Sequence, residues 1–218
     1  MKFHQPFDTF VFRPYPYGSV TQYFAENPTL YGKICNEWGC MNGGHNGVDL
    51  VAPWGTPLYA LTDQRVIDIK ESPLGYGKHV RCVDDKYEYT YAHLSTISCY
   101  LHQYLNRGDV LGKMGNTGFV ISGATPYWKH NPYAGTHEHI TMRERDTGGK
   151  WRLDYGNGNI IYVKNYDNGV FGAIDPAPFF GETDEEIKMR LLLTVRSLGN
   201  TAVELLRKII SLKQNEHI

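Results

Sequence analysis

Short apolar runs separated by turn residues dominate the sequence from about residue 10 to about residue 175. Runs such as "DQRVIDIKE" and "GKHVRCVDD" carry β-branched or aromatic side chains and are bounded by Gly, Pro, Asp or Asn. Each run is roughly four to eight residues long, which is typical of strands, whereas helices need roughly ten residues or more. The pattern therefore predicts a mainly β, antiparallel fold.

A second pattern begins after "IDPAPFFGE", where Pro176 ends the strand region and Thr183-x-x-Glu186 forms a capping box. Apolar residues then recur every three or four positions, at Ile187, Leu191, Val195, Leu198, Ala202, Leu205, Ile209 and Leu212. This spacing predicts an amphipathic helix. We therefore expect a β domain over residues 1–182 and an amphipathic helical tail over residues 183–218, which docks on that domain or mediates self-association.

Composition and charge limit the classes of partner. The chain has 218 residues, of which 41% are hydrophobic, and its formal net charge is −1. These values fit a globular protein and give no reason to expect a nucleic acid or an anionic membrane as partner. The sequence has no apolar run of about eighteen residues that would span a bilayer, and its start, "MKFHQPFDTFVFRPYP", lacks the apolar core of a signal peptide.

The four cysteines, Cys35, Cys40, Cys82 and Cys99, do not follow a disulfide-rich or zinc-finger spacing. Cys35 and Cys40 are close enough in sequence to bridge as a local staple. The sequence leaves their redox state, and hence the compartment, open.

Two histidine motifs carry the chemistry. His45 and Asp49 in "GGHNGVDL" are four residues apart, and His137 and His139 in "GTHEHITM" are two apart. An even spacing on an extended segment puts both side chains on one face, so Glu138 would point to the opposite side. Each motif alone is more often a hydrogen-bonded turn or a polar strand. Together, on strands that face each other, they predict three N/O ligands with an open position, as in catalytic zinc sites.

A third motif is the strictly alternating run "YEYTYAH". Alternation predicts that Tyr89, Tyr91 and His93 share one face of a strand, while Glu88 and Thr90 share the other. Tyr89 and Tyr91 then line the same site as His93, or they belong to the core, which is the commoner place for such residues.

The motifs in their order resemble the LytM/lysostaphin-type zinc endopeptidases, which cut peptide cross-links in bacterial peptidoglycan. The resemblance rests on "GHNGVDLVAPWGTPLYA", "YGKHV", "YAHLS", "GDVLGKMGNTG" and "HEH". It implies an antiparallel β-sheet groove of the duplicated hybrid motif, or barrel-sandwich-like, fold. It also implies a zinc metalloendopeptidase that hydrolyses peptide cross-links or stem peptides of peptidoglycan.

The resemblance further implies the role of each site residue. His45, Asp49 and His139 would bind one zinc ion, which lowers the pKa of a bound water toward ~7. His93 and His137 would act on that water and on the transition state. We expect His137 to be the general base and His93 to stabilise the oxyanion or protonate the leaving amine, and an exchange of these two roles stays open.

The chain also departs from the family pattern. "FVISGATPYWKHNPYAG" is a long insertion before His137, and we interpret Tyr127 to Tyr133 as a loop over one wall of the groove. Glu138 replaces the apolar residue that is common between the two histidines. These departures leave the scissile bond open between glycine bridges and D-Ala cross-links.

Two other functions compete with the peptidase. A non-catalytic peptidoglycan-binding or regulatory domain of the same fold is the main alternative, although such domains typically lose metal ligands. A swinging-arm carrier domain has turns like "GDVLGKMG" but needs no histidine constellation. Since no export signal is seen, we expect either a lytic enzyme of a bacteriophage or a virion-associated one.

Overall fold

The computed structural model describes residues 3–4, 19–33, 35–36, 39–122, 125–126, 131–180 and 182–183. The predicted helical tail after Thr183 lies outside these residues. The chain divides into two compact units, of which the larger comprises residues 6–180. The smaller unit contributes one described element, an antiparallel pair between residues 3–4 and 182–183.

Short β-strands make up most of the described residues. The first nine are β1 (Phe3–His4), β2 (Ser19–Gln22), β3 (Cys35–Asn36), β4 (Gly39–Cys40), β5 (Val48–Val51), β6 (Pro57–Tyr59), β7 (Gln64–Lys70), β8 (His79–Val83) and β9 (Tyr87–Ala92). The others are β10 (Thr96–Ile97), β11 (Tyr104–Leu105), β12 (Val110–Lys113), β13 (Ile121–Ser122), β14 (Thr125–Pro126), β15 (Glu138–Glu144), β16 (Trp151–Asp154), β17 (Ile160–Val163), β18 (Ala173–Ile174) and β19 (Glu182–Thr183).

Helix is scarce in this part of the chain. It consists of one α-helix, α1 (Pro28–Tyr31), and one 3₁₀ turn, Ala177–Phe179. No helix among the described residues is long and apolar enough to cross a membrane. The mainly β, antiparallel prediction is therefore confirmed, because every pairing between the strands described here is antiparallel.

The largest sheet positions the candidate site. Its strand order is β11-β7-β8-β9-β15-β5-β2, and β18 also pairs with β15. Strand β15 lies between β9 and β5, so it is paired on both sides along its first half. A three-stranded sheet, β10-β12-β6, stands beside this one in the same unit.

One face of the large sheet builds the hydrophobic core. Alternate residues of neighbouring strands supply it, among them Val80, Tyr89, Tyr91, Ile140 and Met142, and all five are fully buried. Full burial of a large apolar side chain stabilises a fold by roughly 1.5–3 kcal/mol. Tyr89 and Tyr91 therefore belong to the core and do not line the site.

The opposite face of the same strands is polar although it is buried. Its members include Arg81, Glu88, Thr90 and Arg143, none more than 5% exposed. Arg143 Nη1 donates to Glu88 Oε2 at 2.7 Å, and Thr90 Oγ1 donates to Glu88 Oε1 at 2.8 Å. Arg81 Nη1 donates to Asp68 Oδ2 at 2.6 Å. Each buried charge thus has an opposite charge within hydrogen-bond distance, as burial of ions requires.

The hairpin of β16 and β17 packs against part of this polar face. Leu153 and Ile161 join Ile67 and Val83 in a second apolar cluster. The ring of Tyr155 lies over the Arg81 guanidinium, 4.8 Å from ring centroid to Cζ. The hairpin therefore keeps water away from the buried charges at this end of the sheet.

The cysteines divide into two states. Cys40 is disulfide-bonded, whereas Cys82 and Cys99 are free thiols. The backbone of the β3–β4 hairpin puts Cys35 opposite Cys40. A bridge between Cys35 and Cys40, the expected local staple before His45, stays a prediction.

His79 gives the stability of this fold a specific pH dependence. Burial, together with the nearby Arg81, lowers the pKa of His79 to about 4, whereas an unfolded histidine titrates near ~6.5. Between these values the unfolded chain binds more protons, so stability falls as the pH falls through this window. From pH 7 to pH 5 we expect the wild type to lose about 2 kcal/mol more than His79→Leu. Urea unfolding in EDTA at both pH values measures this difference, and equal losses would contradict it.

Candidate metal centre

Three side chains of two neighbouring segments converge on one point. Strands β5 and β15 are paired with Asp49 opposite His139. His139 Nδ1 lies 2.9 Å from Asp49 Oδ1 and 2.9 Å from His45 Nε2, and His45 Nε2 lies 3.2 Å from Asp49 Oδ1. All three residues are buried. The three donor atoms therefore form a nearly equilateral triangle.

A glycine-rich loop brings His45 to this triangle. The His45 N–H donates to the Glu26 carbonyl at 2.9 Å, and the Ala25 N–H donates to the His45 carbonyl at 2.8 Å. Gly44 has φ +93°, and a Cβ there would meet the backbone of Ala25. Only glycine fits such a position without strain. His45 thus reaches Asp49 from a loop that is hydrogen-bonded to residues 25–26. Since β5 begins at Val48, His45 does not share a strand face with Asp49 as expected.

Gly47 packs directly on the third member of the triangle. A Cβ at Gly47 would lie 2.7 Å from Cε1 and 2.8 Å from Nε2 of His139, and it would also meet the Ile140 carbonyl. We expect Gly47→Ala to displace the His139 ring and to weaken zinc binding by at least about tenfold, the cost of disturbing a ligand's surroundings. Zinc competition with a chromophoric chelator measures the loss. Gly148→Ala is the matched control, since a Cβ there meets nothing within 4 Å; an equal loss in the control would refute this reason.

The second ring nitrogen of each histidine has its own partner. His45 Nδ1 lies 3.1 Å from the Tyr23 carbonyl, which can only accept, so Nδ1 carries the proton and Nε2 offers a lone pair. His139 Nε2 lies 2.9 Å from Thr141 Oγ1. Such outer partners fix the orientation and the tautomer of a metal-binding histidine.

The charges of the cluster favour an ionised Asp49 beside a neutral His139. Burial tends to raise the pKa of Asp49, but the ring nitrogens of His139 and His45 next to its carboxylate outweigh this effect and hold that pKa well below its usual range. Burial lowers the pKa of His139 to about 4, against the opposing effect of Asp49. Near neutral pH Asp49 is therefore negatively charged and the His139 ring is neutral.

This donor set fits a zinc ion. Zinc takes imidazole nitrogen and carboxylate oxygen at roughly 2.0–2.2 Å, which puts neighbouring donors of a tetrahedral site roughly 3.3 Å apart. The observed separations are 2.9, 2.9 and 3.2 Å. Three protein ligands with one open position are typical of catalytic zinc sites. His45, Asp49 and His139 are thus the residues that could hold the metal.

His93 and His137 stand at the edge of the triangle. Their ring centroids are 4.6 Å apart, and the ring centroid of His93 is 5.9 Å from that of His139. His137 Nε2 lies 3.8 Å from Asp49 Oδ2. All five predicted site residues therefore come together in the structure.

The predicted strand face of His93 is wrong. Strand β9 ends at Ala92, and His93 has φ +61°, a left-handed backbone that breaks the alternation. Its side chain therefore lies beside His137, while Tyr89 and Tyr91 point into the core. Glu138 precedes His139 on β15, so the two side chains occupy opposite faces of the strand, as expected, and Glu138 is fully buried.

The turn Gly115 to Gly118 holds both edge histidines. His93 Nδ1 donates to the Thr117 carbonyl at 2.8 Å, and the His137 N–H donates to the Gly115 carbonyl at 3.1 Å. His137 Nδ1 donates to the Gly135 carbonyl at 2.7 Å. In the neutral state each ring is thus protonated at Nδ1 and keeps a lone pair on Nε2.

Several residues of the site were not predicted from the sequence. Tyr76 packs its ring against His139 at 5.4 Å between centroids, and Tyr31 packs against His45 at 5.3 Å. Burial, followed by the charge of Asp49, raises the pKa of Tyr31. The Thr117 carbonyl and the Thr141 hydroxyl form hydrogen bonds with ring nitrogens of His93 and His139. Tyr31, Tyr76 and Thr117 reach the site through tertiary contacts, which leave no local signal. Thr141 follows His139 by two residues on β15, a spacing from which its place on the same face could have been predicted.

Part of the predicted loop over the site is described. Residues 127–130 lie outside the described range, but Tyr133 is placed, and its ring forms an edge-to-face pair with Trp54 at 5.4 Å between centroids. Asn116 Nδ2 donates to the carbonyls of Pro132 and Ala134, which fixes the loop that leads into His137. Both aromatic rings are exposed to solvent.

The fold and the candidate site have counterparts among known proteins. Residues 43–150 match the family described as Peptidase family M23, which supports an M23 domain of the LytM/lysostaphin type in this part of the chain. The matched range includes all five histidine and aspartate residues of the site.

Particular relatives share this domain. Glycyl-glycine endopeptidase ALE-1 of Staphylococcus capitis is 25% identical over 181 residues, which are 82% of this chain and 49% of the relative. Murein hydrolase activator NlpD of Escherichia coli is 32% identical over 92 residues, 40% of this chain and 23% of the relative. The solved structure of the antimicrobial peptidase lysostaphin from Staphylococcus simulans aligns with 75% of this chain and 49% of that chain, at 18% identity and a TM-score of 0.48. The chain thus spans half or less of the length of these relatives.

Proposed function

We propose that the protein is a zinc metalloendopeptidase that hydrolyses peptide cross-links or stem peptides of bacterial peptidoglycan. The observation that carries the proposal is the triangle of His45 Nε2, Asp49 Oδ1 and His139 Nδ1, with two further histidines at its edge. The match of residues 43–150 to Peptidase family M23 and the similarity to a glycyl-glycine endopeptidase support the substrate class.

His45, Asp49 and His139 would hold the metal. Bound zinc supplies a Lewis acid and lowers the pKa of water in its open position. Asp49 contributes the negative charge of the site, and its second oxygen, Oδ2, faces His137 at 3.8 Å. The carboxylate can therefore stabilise both the cation and a proton gained by His137.

His137 is the general base in this proposal. Its Nδ1 proton is committed to the Gly135 carbonyl, so Nε2 is free to take a proton. The side chain stays 17% exposed, which leaves it within reach of water and substrate. The nearby Asp49 carboxylate favours the imidazolium that forms after proton transfer.

His93 assists this proton transfer. Its Nδ1 proton is likewise committed to a carbonyl, that of Thr117, so the neutral ring keeps a lone pair and no proton on Nε2. The proton that reaches the leaving amine of the substrate is therefore the one that His137 takes from the water, and His93, whose ring lies 4.6 Å from that of His137, would accept a hydrogen bond beside it. The Trp54–Tyr133 pair would bound the same substrate on one side.

The test combines metal content with hydrolysis. Purified protein is expected to contain about one zinc per chain and to release amines from sacculi of at least one peptidoglycan chemotype. His137→Ala is expected to keep its zinc while hydrolysis falls by about a hundredfold or more, the usual contribution of a general base. Full hydrolysis by His137→Ala would contradict its role.

A non-catalytic peptidoglycan-binding or regulatory domain is the second candidate function. The similarity to a protein named murein hydrolase activator favours it. The two functions separate in the same experiment. Bound zinc and binding to sacculi, without cleavage of any chemotype, would exclude the peptidase and favour the regulatory domain.

A further inference from the structure

The outer face of the metal centre contains a chain of hydrogen bonds with no assigned role. His139 Nε2 lies 2.9 Å from Thr141 Oγ1, and Thr141 Oγ1 lies 3.4 Å from the Tyr76 hydroxyl. Asn46 Nδ2 donates to that hydroxyl at 2.7 Å. Asn46 follows His45 directly in the sequence. These hydrogen bonds therefore connect the segments that carry His45 and His139, two of the three candidate ligands.

Donor and acceptor chemistry allows a polarity of these hydrogen bonds that leaves Nδ1 of His139 unprotonated. The amide of Asn46 donates to the Tyr76 oxygen, which keeps a second lone pair. Thr141 can then donate its hydroxyl to Tyr76 and accept a hydrogen bond from His139 Nε2. In this arrangement His139 is protonated at Nε2, and its Nδ1 lone pair points to His45 and Asp49.

The opposite tautomer of His139 is a real competitor. A proton on Nδ1 could be donated to Asp49 Oδ1 at 2.9 Å, and it would occupy the atom that must bind the metal. His139 is 4% exposed and Thr141 is fully buried, so water does not offer Nε2 an alternative acceptor. The acceptor on Thr141 is therefore what favours the metal-binding tautomer.

We propose that Thr141 and Tyr76 are positioning residues of the metal centre. Thr141 favours the Nε2-protonated tautomer of His139. Tyr76, which is hydrogen-bonded to Asn46, orients the Thr141 hydroxyl. The Tyr76 ring also packs against the His139 ring, which restricts its rotation. The inference rests on the proposed metal site and not on hydrolysis.

Zinc affinity of four proteins tests the proposal. Thr141→Val keeps the shape of the side chain but removes the acceptor, and we expect it to weaken zinc binding by about 10–100-fold, as loss of an outer partner does. Thr141→Ser restores the hydroxyl and is expected to stay within about threefold of wild type. Tyr76→Phe removes one hydroxyl and is expected to weaken binding by roughly two- to tenfold.

A second readout needs no metal. Long-range ¹H–¹⁵N spectra of the zinc-free chain report which nitrogen of each imidazole carries the proton. Relative to wild type, Thr141→Val is expected to lower the population of the Nε2-protonated form of His139 and to raise that of the Nδ1-protonated form. A purely structural role for Thr141 would change the unfolding midpoint in urea without this tautomer shift.

The outcomes separate this inference from the proposed function. Wild-type affinity and an unchanged tautomer in Thr141→Val overturn it, even where the enzyme hydrolyses peptidoglycan. If that variant does not fold, wild-type affinity in Tyr76→Phe overturns it. A wild-type chain that binds zinc but cleaves nothing refutes only the peptidase, whereas one that binds no zinc refutes the metal site and this role together.

Discussion

Replacement of His139 by alanine is expected to abolish stoichiometric zinc binding and all hydrolysis of peptidoglycan. The substitution removes Nδ1, the atom shared by the two shortest edges of the donor triangle. Loss of an outer partner already costs about 10–100-fold in metal affinity, so loss of a ligand is expected to cost more than a hundredfold. Metal analysis after dialysis, together with amine release from sacculi, measures both effects.

A matched histidine serves as the control for this substitution. His102 is exposed, and its ring contacts Arg65 well away from the triangle in sequence. We expect His102→Ala to keep zinc content and hydrolysis at wild-type values. If His139→Ala retained full zinc and full activity, the assignment of the metal site would be wrong.

Replacement of Glu88 by alanine is expected to cost about 3–5 kcal/mol in the free energy of unfolding, the usual result of leaving a buried charge unpaired. Glu88 is fully buried, and its loss would leave Arg143, itself 2% exposed, without its carboxylate partner. Thr90 would also lose its hydrogen-bond acceptor. Urea unfolding at pH 7 measures the change.

The pair of Lys164 and Glu144 gives a control of the same chemistry at the surface. Its N–O distance is 2.6 Å, but both side chains are nearly half exposed. Since solvent screens such pairs, Glu144→Ala is expected to shift the unfolding midpoint far less than Glu88→Ala. Equal shifts of the unfolding midpoint in the two variants would show that burial does not determine how much the Glu88–Arg143 pair stabilises the fold.

The two predictions concern one structural surface. On β15, His139, Thr141 and Arg143 alternate with the core residues, so the metal centre and the buried ion pairs share a face of the sheet. The ion pairs fix the strands that carry the site, while the hairpin of β16 and β17 covers their far end. A centre with ligands on two strands depends on that register, because a slip of one residue would turn His139 into the core.

The periodicity of the sequence was sufficient for the fold class and for the ligand set. Alternation in "YEYTYAH" predicts a strand, and β9 spans Tyr87–Ala92. The spacing of His137 and His139 is local, so it predicts that both side chains face the same side where the chain enters β15, without knowledge of the partner strands. The match of both motifs to one family order then selected His45 and Asp49 as their partners.

Only the tertiary structure decided where His93 points and what holds the rings. A left-handed residue at the end of a strand leaves no periodic signal, so alternation misplaced His93 among the tyrosines. Thr117 and Tyr76 meet the site across separations of 24 and 65 residues along the chain. Local sequence patterns encode which face a side chain occupies. Contacts of this length depend on strand register and loop closure, which exist only once the chain has folded.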